Sequence, residues 1–194
     1  MNALLLRLPS FVLALALVAF APSAARADTY YVAPSPTGDD GNPGTEAEPF
    51  ASMERAQEAA SGGDTVYFKG GTYAFDRGTT TCSSGTAIIS GVVLNKSGAA
   101  GATINYFAAP GENPVFDYDA VLDSCRIRGI TVSGNYIHIK GLEIQGVRQN
   151  NNLNHESWGI WISGSNNIIE QIDVHDIMGA GIFINGGSNN LVLN

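Results

Sequence analysis

Gly159-Ile-Trp-Ile-Ser-Gly-Ser-Asn-Asn-Ile-Ile-Glu170 aligns, further along the same chain, with Gly181-Ile-Phe-Ile-Asn-Gly-Gly-Ser-Asn-Asn-Leu-Val-Leu193. Gly181 follows Gly159 by 22 positions, and Asn190 follows Asn167 by 23. An earlier copy of the second strand, Gly134-Asn-Tyr-Ile-His-Ile139, precedes them, and Arg148 to Ser157 read as a loop inserted between. A period of this size is too long for a hairpin and lacks the helical segment of a leucine-rich or βαβ repeat. Three short strands and three turns fit it. Each turn of such a solenoid advances the chain by one strand spacing, ~4.8 Å, so every strand pairs in parallel with its copy in the next coil. Asn166-Asn167 then stack over Asn189-Asn190 at turns, where Asn tolerates the left-handed conformation and its amide can bond a neighbouring coil. The Ile-Trp-Ile and Ile-Phe-Ile runs send every second side chain inward as columns of like residues. The reading is all-β, a parallel β-helix.

The same rhythm reaches back to Ala87, as apolar runs of four to six residues separated by Gly, Asn, Ser and Asp. Before it the pattern differs. Thr29 to Val32 form a short strand signal, a turn-rich segment runs from Pro34 to Gly44, and Pro49 opens an amphipathic helix. Phe50, Met53, Ala56, Gln57 and Ala60 fall on or near one stripe of it, and Gly62-Gly63 ends it. A solenoid's first coil exposes an open core, so this helix is expected to cap that end, with Phe50 and Met53 as the lid. Residues 28–75 are read as the N-terminal strand and capping α-helix, and 76–194 as the first coils. The repeat breaks off at its second strand with the β-helix open. Leu191 to Leu193 would present an unpaired apolar edge, which predicts poor solubility.

Residues 1–27 read as a signal peptide, with Arg7 ahead of an apolar run from Phe11 to Ala21 and a small-x-small site at Ala25-Arg26-Ala27. That run is shorter than the ~20 residues a membrane span needs. A secreted, extracellular or periplasmic protein beginning at Asp28 is expected, without membrane association. Without Arg7 and Arg26, 8 of the 10 Lys and Arg remain against 18 Asp and Glu, a net charge of −10. Nucleic acid is excluded as a partner, because its binding requires a basic face. In an exported chain Cys82 and Cys125 suggest one disulfide, worth ~3 to 4 kcal/mol in the chain-entropy model; two buried free thiols are the alternative.

The pattern Tyr30-Tyr-Val-Ala-Pro34, Asn42-Pro-Gly-Thr45, Pro49-Phe50, Gly63-Asp-Thr-Val-Tyr67 and Gly70-Gly-Thr-Tyr73 is similar to the start of many secreted β-helix proteins. Asn154-His-Glu-Ser-Trp-Gly-Ile160, Gly164-Ser-Asn-Asn167 and His175-Asp-Ile-Met-Gly-Ala-Gly-Ile182 are more specific. They resemble the family-nine polysaccharide lyases, which include calcium-dependent pectate lyases. The resemblance implies a right-handed parallel β-helix and β-elimination on a uronic acid polymer. In that family a calcium ion held by an Asp cluster neutralises the carboxylate beside the acidic carbon, and a Lys takes the proton. Both are placed on later coils, so the catalytic residues are expected beyond Asn194, and the chain ending there is expected to show no turnover by itself.

The residues present do not replace that set. Asp173 and His175 would share one strand face with Asp176 at a turn, which reads as a solvated coil edge. Lys140 follows the strand Tyr136 to Ile139 with no carboxylate cluster beside it. His155, Glu156 and Trp158, at the end of the inserted loop, are the candidate substrate-binding residues, against the competing roles of loop anchoring and packing. The expected partner is an acidic polysaccharide, and the full-length protein is expected to be a monomer. The alternatives are a metal-free β-helix glycoside hydrolase on pectic polymers and a non-catalytic adhesin or glycan-binding β-helix.

Overall fold

The computed structural model describes residues 26–75, 87–120, 125–148 and 156–194. The expected signal sequence therefore lies outside the described residues, apart from Arg26 and Ala27. So do Cys82 and His155. No described helix is long and apolar enough to cross a membrane.

The described strands fall into three parallel sheets. The first contains β1 (Thr29–Val32), β2 (Thr65–Phe68), β5 (Ile104–Ala108), β8 (Ile137–Lys140), β11 (Ile168–Glu170) and β14 (Leu191–Leu193), hydrogen-bonded in that order. The second runs β3 (Gly71–Ala74), β6 (Pro114–Asp117), β9 (Glu143–Gln145), β12 (Asp173–Val174), and the third β4 (Ile88–Leu94), β7 (Arg126–Val132), β10 (Ser157–Ile162), β13 (Gly179–Ile184). From β2 onward the chain visits the three sheets in turn, which is the coiling the repeat predicts.

Register sets the coil lengths. Along the first sheet Thr65 faces Asn105, Asn105 faces His138, His138 faces Ile168 and Ile168 faces Leu191, so each coil is shorter than the one before it. Most of the variation arises where the second sheet hands over to the third. Residues 75–87, 118–125 and 146–156 make that connection in three coils, and only 175–178 make it in the next.

The alternation of apolar residues builds the core. Val66, Tyr106, Ile139 and Ile169 are in register on the first sheet, and Val92, Ile130, Ile160 and Ile182 on the third. All but Ile182 are buried, and Ile182 packs against the core. Such columns bury like against like at one strand spacing, which rewards the registered pairing and penalises a slip. Gly91, Gly129, Gly159 and Gly181 align on the third sheet between these columns and the strand starts. A Cβ on Gly129 would lie 2.6 Å from the Gly159 carbonyl oxygen and 3.1 Å from the Tyr118 ring, so the close approach requires glycine there.

The turn joining the third sheet to the first carries the asparagine ladder. Asn166 and Asn189 both adopt φ 58°, and the Asn189 amide donates to the Asn166 side-chain oxygen at 3.3 Å. Asn167 is fully buried. Its Oδ1 accepts the Ile137 N–H at 2.9 Å, and its Nδ2 donates to the Gly134 carbonyl at 3.1 Å. Asn190 repeats this one coil later, accepting the Asn167 N–H at 3.0 Å and donating to the Gly164 carbonyl at 2.8 Å.

The capping helix α1 runs Met53–Ala59 and packs on β1 and β4, with Phe50, Met53 and Ala56 buried in the core. It begins one turn later than the position of Pro49 suggests. Phe50 instead bridges to Val32, and Ser52 is the N-cap, its hydroxyl accepting the Arg55 N–H at 3.1 Å. The Asp40 carboxylate accepts the N–H groups of Ala51 and Ser52 and the Ser52 hydroxyl, so the turn-rich segment fixes where the helix starts. Gln57 leaves the apolar stripe and bonds the edge of the third sheet, donating to the Val93 carbonyl and accepting the Asn95 N–H. Cys125 is buried and disulfide-bonded.

Candidate functional site: the outer faces of the coils

Strand alternation that points the apolar columns inward points the polar residues of each sheet outward, so each sheet carries one outer face. On the first, β8 and β11 set Lys140 opposite Glu170. Lys140 Nζ donates to one Glu170 oxygen at 2.9 Å, and His138 Nε2 lies 2.9 Å from the other. The hydrogen bond from Lys140 holds the Glu170 carboxyl below the usual range, with His138 adding to it. An amine engaged in this ion pair is poorly placed to take a substrate proton.

On the second face, β9 and β12 place Glu143 beside His175. Asn113 donates to Glu143 at 2.7 Å, His175 Nε2 lies 3.1 Å from the other Glu143 oxygen, and His175 Nδ1 lies 2.9 Å from Asp176 Oδ2. Asp176 occupies a turn with φ 53°, as expected. The Asp176 and Glu143 carboxylates raise the His175 pKa above its ordinary value, and the Asn113 and His175 hydrogen bonds lower that of Glu143. Two of the acidic oxygens are thus spent on one imidazole. Among the described residues no group of three or more His, Cys, Asp or Glu side chains is placed to hold a metal ion, so calcium has no fitting ligand set in them.

The third face is different in kind. In β7, Ile127 is fully buried, so the flanking Arg126 and Arg128 project to the outside. β10 sets Trp158 opposite Arg128, and β13 sets Phe183 opposite Trp161. The Arg128 guanidinium lies 3.7 Å from the centre of the Trp161 ring, and that of Arg126 lies 4.7 Å from Trp158. Trp158 and Trp161 meet edge to face at 4.6 Å, and Phe183 stacks on Trp161 at 4.9 Å. Both tryptophans are buried, at 4% and 8% exposure, whereas Arg126 and Arg128 are half-buried. Glu156 contributes its backbone carbonyl, which accepts Arg126 Nε–H at 3.0 Å, and the residue itself is exposed.

Of the candidate substrate-binding residues, Trp158 therefore sits within this face as packing beneath two arginines, Glu156 steadies one of them, and His155 lies outside the described residues. Sequence reading does not single out the arginines. The available signal is Arg-Ile-Arg alternation within a strand one coil before Trp158, a cationic pair in a chain of net charge −8.

Coils of three parallel sheets, a helix over the first coil and an internal asparagine ladder define a parallel β-helix. Residues 30–194 match the family described as "Pel9A-like, right handed beta helix region". The chain belongs to the Pel9A-like right-handed β-helix family. It is 32% identical over 202 residues to pectate lyase L of Paenibacillus polymyxa (strain SC2), an alignment covering 96% of this chain and 40% of that protein. Among solved structures, a rhamnogalacturonan lyase superposes with a TM-score of 0.72 at 34% identity, over 84% of this chain and 40% of that one. The crystal structure of pectate lyase Pel9A superposes with a TM-score of 0.64 at 31% identity, over 85% of this chain and 38% of that one. The chain thus spans about 40% of the length of these relatives.

Proposed function

We propose that the intact protein is an exported, calcium-dependent polysaccharide lyase acting on a uronate-containing polymer of the pectate or rhamnogalacturonan kind. In this reading residues 1–27 direct export, 28–75 form the strand and cap, 76–194 form the first coils, and Cys125 pairs with Cys82. The observation that carries it is the family match over residues 30–194, supported by relatives named as pectate and rhamnogalacturonan lyases. β-Elimination removes the proton from the carbon beside the uronate carboxylate and expels the glycosidic oxygen, leaving a carbon–carbon double bond at the new non-reducing end. No step is assigned to the described residues. The carboxylate cluster and basic Lys belong to further coils of the intact protein, and this chain's share is architecture and substrate contact.

The test is mass spectrometry of products from the intact protein on polygalacturonate and on rhamnogalacturonan, with and without chelator. Oligosaccharides lighter by one water than hydrolysis products, lost on chelation, are expected. Saturated products that persist in chelator would assign a hydrolase instead, and no cleavage of either polymer would favour a non-catalytic glycan-binding role.

A further inference from the structure

We propose that Arg126 and Arg128 form a carboxylate-binding subsite on the outer face of the third sheet, taking a uronate unit of the polysaccharide. This rests on the lyase reading above and adds to it a place on this chain where the acidic polymer is held.

Within the described residues the ion pairs engage Arg55 with Glu58, Lys140 with Glu170 and Arg148 with Asp119. Among those same residues Arg126 and Arg128 meet no carboxylate, although the chain carries 18 acidic residues against 10 basic ones. Two residues apart on one strand, they are separated by about 7 Å of backbone, close enough for mutual repulsion. Burial and the charge of Arg126 both lower the Arg128 pKa. A pair of like charges kept close together costs stability, and an anion bound between them relieves it.

The Arg128 guanidinium lies over the Trp161 ring and 5.6 Å from that of Trp158, and its Nε is buried with no acceptor among the described residues. Its terminal nitrogens have none there either. Arg126 is held from two sides, by the Trp158 ring and by the Glu156 carbonyl. The side-chain entropy ordinarily lost when an arginine grips a ligand has therefore been lost on folding. A planar fork held over an indole suits the two oxygens of a carboxylate, and a neutral sugar offers no matching charge.

The experiment uses the intact protein with Arg126→Gln and Arg128→Gln, assayed for turnover on polygalacturonate and for binding, by retardation in gels, on polygalacturonate and on methyl-esterified pectin, whose carboxylates are capped. On polygalacturonate KM is expected to rise roughly tenfold per substitution, with kcat nearly unchanged. On esterified pectin the retardation should stay close to that of the wild type. Arg128→Lys, which keeps the charge without the fork, should fall between and covers the case in which the glutamine variant does not fold. An unchanged KM on polygalacturonate, with or without a lower melting temperature, overturns the proposal and makes the arginines structural. An equal loss of retardation on both polymers overturns it as well. If the wild type yields no unsaturated product, the lyase reading fails separately. Retardation in gels containing polygalacturonate then decides: slowing lost in Arg128→Gln supports the subsite, and equal mobility of both proteins rejects it.

Discussion

Asn167 has no solvent exposure, and both ends of its amide are spent on the preceding coil. Asn167→Ala would leave the Ile137 N–H and the Gly134 carbonyl buried without partners, each costing about 1–3 kcal/mol. Urea denaturation of the intact protein should register a loss of about 2–6 kcal/mol, and a loss within error of zero would show that water replaces the amide. This role is legible in the sequence, because two Asn pairs recur in register with two apolar strands. The ion pairs are not. Lys140 and Glu170 stand far apart in sequence, and only the register of β8 with β11 makes them neighbours. The same holds for Glu143 and His175, which yield a pH prediction. Asp176 and Glu143 raise the His175 pKa above 6.5, so the imidazolium favours the folded state fully below 6.5 and that contribution fades as pH rises through the higher folded value. The lowered Glu143 pKa acts oppositely, contributing above 4.5 and fading as pH falls through the lower folded value. The melting temperature should therefore fall on going from pH 6 to pH 8, and less so in His175→Gln. Parallel profiles for the two proteins would show that the imidazole contributes nothing.

At the scale of elements, the short apolar strands lie close to where the sequence rhythm puts them, since β-helix strands are brief and bounded by Gly and Asn. The cap is legible as an element but not at its first turn. Pro49 and Phe50 fit a helical stripe, yet Phe50 pairs with Val32, and Asp40, well before Ser52 in the chain, decides the helix start through bonds no local pattern reveals. Ser52→Ala removes the cap and should cost about 1 kcal/mol, whereas Ser52→Gly should cost a few tenths, both measured by thermal melting. Equal losses for the two would locate the effect in the Asp40 contact instead. The arginine face escapes sequence reading for a related reason. Arg126 and Arg128 look like ordinary solvated charges until β10 and β13 bring Trp158, Trp161 and Phe183 alongside.

At the scale of the molecule, the repeat is legible only in the last coils. Its short period shows there because the connection from the second sheet to the third has shrunk to 175–178. In earlier coils longer connections stretch the spacing by a different amount each time and erase periodicity, although the register continues unbroken. Helix cap, internal ladders and columns of branched residues fix the scaffold, and the third face gives it a cationic strip within an acidic chain. Ile184 and Leu191 to Leu193 are 43–48% exposed, so the apolar columns of the last strands remain uncovered in the described residues. The central claim is that this scaffold belongs to an enzyme that breaks uronate polymers by elimination. The most direct measurement is the ultraviolet absorbance of unsaturated uronate ends as the intact protein acts on polygalacturonate and rhamnogalacturonan in calcium. A steady rise on one of them, abolished by chelator, is the predicted result, and a flat trace on both would contradict it.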